Sequence, residues 1–153
     1  VANAIKWSAL GTFTTIINGD ATAPTLKNLA STSSKLGSEV DNATSHNRYA
    51  DFDLYCRFQS SPSANGYCEL YLVQAVDSTN YADGSDSVAP AITTLVGTFP
   101  VRAVTTQQRV ALRHVLLPNT KFKPIIINQS GQAMTNTDNE NILSIRTYNE
   151  ELQ

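Results

Sequence analysis

QQRVALRHVLLPNTKFKPIIINQSGQAM, residues 107–134, decides the class of fold. Val110, Leu112, His114 and Leu116 alternate with Ala111, Arg113 and Val115, the period of two that marks a half-buried strand. Pro118-Asn119 ends that run, because proline gives no N–H to a ladder and fixes its own φ. A second strand is predicted over 121–128, nearly continuous in apolar residues from Ile125 to Ile127. Gln129-Ser130-Gly131 turns the chain, and a third strand is expected over 142–148. With no helical spacing between them, the three strands read as a β-meander.

Upstream the same grammar continues. Strands are expected over 5–8, which holds the only tryptophan, Trp7, and over 12–18, closed by Asn18-Gly19-Asp20. A weaker apolar pulse at 26–29 precedes a polar run in which a strand is placed near 38–42. The clearest pattern follows. Phe52, Leu54, Cys56 and Phe58 share one face, and Asp51, Asp53, Tyr55 and Arg57 the other. Residues 67–76 are expected to return antiparallel to them across SSPSANG, a hairpin whose register would set Cys56 opposite Cys68. These two cysteines read as buried reduced thiols, with a disulfide open only if their Cβ atoms approach to about 4 Å. Residues 77–92 are the longest break in periodicity and are expected to be an exposed loop. A strand over 94–104 carries Gly97 and Pro100, which suggests a bulge or an edge. The tail NEELQ is expected to fray. The fold class expected is all-β: one antiparallel domain of about eight strands over 1–153, a β-sandwich of jelly-roll type with a closed barrel as the main rival, and an N-terminal arm over 1–12.

The totals limit function. The 153 residues are 41% hydrophobic and 16% charged, with net charge −2. The 11 lysines and arginines are scattered, so no nucleic-acid partner is expected. No apolar run is long enough for a membrane span. The N-terminus lacks the basic and apolar regions of a signal peptide.

No catalytic constellation emerges. His46 lies in a polar loop and His114 on the apolar phase of its strand, where a core or interface histidine bonded to a neighbour is expected. No serine sits in a G-x-S-x-G elbow, and no H-E-x-x-H occurs. Asp51 and Asp53 share a strand face but read as keeping it wet rather than as a glycosidase pair. Asp77, Asp83 and Asp86 could offer oxygens to calcium, yet lack EF-hand spacing. No enzyme, cofactor or metal is expected. Sequons at Asn42 and Asn128 match the rate expected by chance.

The phrases YADFDLYCRF, CELYLVQAVDSTNYADG, VGTFPVRAVTTQQRVALRHVLLPNTKFKPIIINQSGQAM and YNEE, spread over 49–150, resemble a group of tailed-bacteriophage virion proteins. The resemblance implies a jelly-roll capsid decoration (cement) protein. Such a protein would be made in the host cytoplasm and reside on the capsid exterior, bound across subunits of the major capsid protein. Self-association, as a homotrimer, is part of that expectation. Contact is expected through the arm with Trp7, an edge strand, and the 77–92 loop with Tyr81, Asp83 and Asp86. The alternative is a tail-fibre or baseplate module for a host receptor or carbohydrate, with Tyr81 beside Asp83 and Asp86 holding a sugar.

Overall fold

The computed structural model describes residues 4–77 and 79–152. Its strands are β1 (Ile5–Trp7), β2 (Thr14–Ile17), β3 (Ser34–Leu36), β4 (Tyr49–Cys56), β5 (Tyr67–Gln74), β6 (Leu95–Pro100), β7 (Gln108–Leu116), β8 (Phe122–Asn128), β9 (Ile142–Tyr148) and β10 (Glu150–Leu152). One four-stranded sheet has the order β2-β9-β4-β7, and a second has β3-β8-β5-β6; β1 and β10 form a separate two-stranded ribbon. Every pairing between strands is antiparallel. From β2 to β9 the chain changes sheet at each step except β5 to β6. That alternation defines an eight-stranded jelly roll.

Two local expectations are corrected by this topology. The meander does not form, because β7, β8 and β9 lie alternately in the two sheets. Nor does β4 return through a hairpin, since β5 sits in the opposite sheet, paired with β6 and β8. The cause lies in the shared core. Phe52, Leu54 and Cys56 point inward from one sheet and Cys68, Leu70 and Leu72 from the other, all essentially without exposure. Alternation fixes which side chains face inward but is silent on which sheet carries them. Cys56 and Cys68 are both buried and free. Burial pushes the Cys56 thiol up to about 12 and Cys68 higher still.

The polar run at 30–48 is also read differently. Its strand is Ser34–Leu36, and Asn42–Ser45 form one helical turn capped by Asp41, whose carboxylate accepts from Thr44 N–H. Asn42 and Asn128 are buried, each donating through its side-chain amide to two backbone carbonyls. The C-terminal tail is ordered by pairing of β10 with β1, so the arm over 1–12 is tied down at residues 5–7, while residues 1–3 lie outside the described part.

The outer faces of the two sheets differ. On the second sheet, Tyr71, Val73, Ile125 and Ile127 form a separate apolar cluster, with Leu36 and Leu95 of the flanking strands and Tyr81 and Ala82 of the 77–92 loop packed against it. Burial on both faces explains the unbroken apolar run in β8. The 77–92 loop is thus partly a cover rather than a free loop. At Gly84, with φ +153°, an added Cβ would lie 2.8 Å from Ile125 Cδ1 and 2.9 Å from Val73 Cγ2. Only glycine lets the loop lie this close. The outer face of the first sheet carries the polar and aromatic groups described next.

Candidate partner-binding face

Tyr49, Asp51, Asp53 and Tyr55 are the outward residues of β4, with Phe52 and Leu54 inward. On β9 the residues opposite them are Tyr148, Arg146, Ser144 and Ile142. On β7, Tyr55 and Asp53 face Arg109 and Ala111, and the register then slips between Ala50 and Phe52. Arg113 and His114 together stand where Asp51 would meet one residue. This is a β-bulge, and its His114 has φ +58°. The extra residue changes the phase of β7. His114 and Leu116 come to the exposed side, which corrects the core half of the core-or-interface expectation for His114, although its ring does lie 3.4 Å from the Tyr148 hydroxyl; Leu117 becomes buried.

Asp51 is the keystone of this face. Its Oδ1 accepts from His114 N–H at 3.1 Å and from the Tyr148 hydroxyl at 3.2 Å. Its Oδ2 accepts from Arg113 Nη1 at 2.8 Å, Arg146 Nε at 2.9 Å and Arg146 Nη2 at 2.7 Å. Burial alone would push the carboxyl up. The bonds from His114 N–H, Arg146, Arg113 and Tyr148 outweigh it and hold Asp51 at about 2. Asp53 accepts from Arg109 Nε at 2.9 Å on both oxygens. Neither aspartate keeps the face wet, for they are 4% and 7% exposed. What reaches solvent is guanidinium: the side chains of Arg109 and Arg113 are 67% and 58% exposed.

Around the bulge lies an aromatic cluster. Tyr49 and His114 stack at 4.2 Å between ring centroids, 18° from parallel. Trp7 stands edge-on to both, 5.5 Å from Tyr49 and 4.9 Å from His114, and 5.6 Å from Tyr148. These geometries each suit the ring quadrupoles. Trp7 is carried there by the β1–β10 ribbon, fastened further by Ser8 N–H donating to the Asn149 carbonyl at 2.8 Å and Asn149 N–H donating to Ser8 Oγ at 2.8 Å. Trp7 remains 52% exposed and Leu116, opposite Tyr49 in the register, 63%. Phe13 lies under Arg146, 4.8 Å from its guanidinium.

The other residues singled out from the sequence do not join this cluster. Tyr81 donates to the Glu39 carboxylate, and Lys123 Nζ sits 4.3 Å from its ring centre. Asp86 is ion-paired with Lys35 and accepts from Leu36 N–H at 2.6 Å, which clamps the loop to β3. Asp83 is exposed. Among the described residues no group of three or more His, Cys, Asp or Glu converges as metal ligands. Nor is any helix long and apolar enough to cross a membrane. His114, Tyr148, Arg113 and Arg146 escaped the sequence as a cluster because the bulge that gathers them leaves no mark in alternation. Asp51 and Asp53 in phase with each other, and Arg109 with Arg113, were the available signal.

Fold and site together define a jelly-roll module with one aromatic–arginine face. No protein-family model matches the chain. No curated protein matches it either. Among solved structures, a "Carbohydrate-Binding Module CBM36 in complex with calcium and xylotriose" aligns with 98% of this chain and 99% of its own, at 12% identity and a TM-score of 0.39. A likeness that loose carries no functional weight.

Proposed function

We propose that this protein is a non-catalytic adhesion module that decorates a tailed-phage capsid, docking on the major capsid protein through the outer face of the β2-β9-β4-β7 sheet. The observation behind it is half-exposed Trp7, held against the rings of Tyr49, His114 and Tyr148, with exposed Leu116 opposite Tyr49 in the strand register. Exposed aromatic and aliphatic groups next to arginine have the composition of the centre of a protein interface. Asp51 supports that face instead of doing chemistry, since its lone pairs are occupied by five donor contacts. The phage setting rests on the sequence resemblance over 49–150. Many symmetry-related copies would multiply a modest contact into firm attachment, and self-association on the lattice follows the same logic.

The test is co-sedimentation of the purified protein with capsid shells made without it, followed by electron cryo-microscopy of the decorated shells. Density over the capsid lattice with Trp7 at the contact supports the proposal. Trp7→Ala is expected to weaken binding by tenfold or more, in line with a loss of about 2 kcal/mol at an interface hot spot. Failure to bind shells, or density confined to tail or fibres, rejects it.

A second reading, a host-receptor or carbohydrate-binding module, is favoured by a different observation. A groove of about 430 Å³ lies beside β2, where hydroxyl and amide groups of Thr12, Thr14, Thr15, Ser45 and Asn47 share the lining with Ile16, Val40, Asp41 and Arg146. Such a lining suits sugar hydroxyls. Retention of the protein on a panel of bacterial glycans, without binding to shells, selects this reading.

A further inference from the structure

The docking face also carries information about what it docks on. We infer that its partner is a protein surface bearing carboxylates, held by Arg109 and Arg113, with Trp7 and Leu116 supplying the apolar contact. This rests on the docking reading above and adds the partner's chemistry. Both arginines project from β7, and each is anchored at one end by an aspartate almost out of solvent, Asp53 for Arg109 and Asp51 for Arg113. The anchoring bonds use Nε and Nη2 of Arg109, and Nη1 of Arg113. The remaining N–H groups point out of the pair, on side chains 67% and 58% exposed.

An arginine fixed in this way loses little rotamer freedom when it binds, which lowers the cost of a second, carboxylate-facing hydrogen bond. The face is also positive where the molecule is not. Its ion-paired core has three arginines, with Arg146, for two aspartates, while the whole chain has net charge −2. Within this ion-paired core the two aspartates are buried, while Arg109 and Arg113 are exposed. Complementarity then calls for acidic groups opposite. A protein partner fits better than a polyanion such as nucleic acid or an acidic glycan. A polyanion would leave Trp7 and Leu116 uncovered and would be repelled by the rest of an acidic chain.

The experiment titrates the purified protein onto undecorated capsid shells at two ionic strengths, about 50 and about 300 mM NaCl, either side of the roughly 10 Å screening length of 0.1 M salt. Affinity is expected to fall about tenfold over that range. Arg109→Gln/Arg113→Gln is expected to abolish most of the salt dependence, whereas Lys123→Gln, a cation on the other sheet against Tyr81, is expected to leave it intact. Circular dichroism melts check that the double variant is folded; if it is not, the wild-type salt dependence decides alone. Tight binding indifferent to salt overturns the carboxylate inference and leaves docking standing. Equal affinity for dextran sulfate or duplex DNA also overturns it, in favour of a polyanion. Absence of binding to shells at both salt concentrations overturns the docking reading, and this inference falls with it.

Discussion

The backbone N–H of His114 donates to Asp51 Oδ1 across the bulge at 3.1 Å, joining the one histidine with φ +58° in a strand to the most heavily bonded carboxylate of the face. Each makes the other tenable. A non-glycine residue in the left-handed region costs about 1–2 kcal/mol, and a charge-assisted hydrogen bond of about 1.5–3 kcal/mol offsets it.

Replacing His114 by alanine or glycine separates these effects. Both lose the ring stacked on Tyr49, but only alanine keeps a Cβ at positive φ. His114→Gly is therefore expected to be the more stable of the two by about 1 kcal/mol, the reverse of the usual order inside a strand. Urea unfolding of the two variants measures the difference.

Asp51→Ala removes the acceptor shared by Arg113, Arg146, Tyr148 and the bulge. Breaking a buried ion pair from one side costs about 3–5 kcal/mol, and a value near the lower end is expected because Arg113 can turn to water. Asp53→Ala, whose single arginine is 67% exposed, is expected to cost less. Paired denaturant melts would show the order.

Acid should act through the same residue. Asp51 is held at about 2, below the ordinary carboxylate value of 3.8. A depressed folded-state pKa gives stability that is present above the unfolded value and is lost as pH falls through the folded one. The wild-type protein is accordingly expected to lose stability as pH drops from about 4 towards 2, and Asp51→Asn to show a flatter dependence in that window. Intrinsic fluorescence of Trp7 during acid titration follows it.

Cys56 and Cys68 should be silent towards thiol reagents in the folded protein. They are buried, and burial pushes Cys56 up to about 12 and Cys68 above it, so thiolate is scarce. Labelling with Ellman's reagent is expected only on unfolding. Rapid labelling of either thiol under native conditions would contradict the packed core between the two sheets.

The class of fold was legible because short strands separated by turn residues recur along the chain, and Phe52, Leu54 and Cys56 are inward as their spacing of two implies. The partnering of strands was not legible. A tight turn such as SSPSANG serves a hairpin or a crossing between sheets equally well, and only the packing of the whole core selects the crossing. Within the face, Trp7 was singled out by its scarcity and sits in the cluster. His114 was assigned to the wrong side because one extra residue at the bulge inverts the phase from that point onward. In 77–92, polar composition concealed the few residues, Tyr81, Ala82 and Gly84, that lie over the second sheet.

The unlike outer faces have a consequence for assembly. With one sheet roofed by its own loop and the other topped by ion pairs and rings, the molecule has a front and a back that do not resemble each other. Identical blocks of this kind can settle side by side with their fronts turned to a supporting surface. On the docking reading proposed above, every copy would turn the same face to the support and its loop-covered face to solvent.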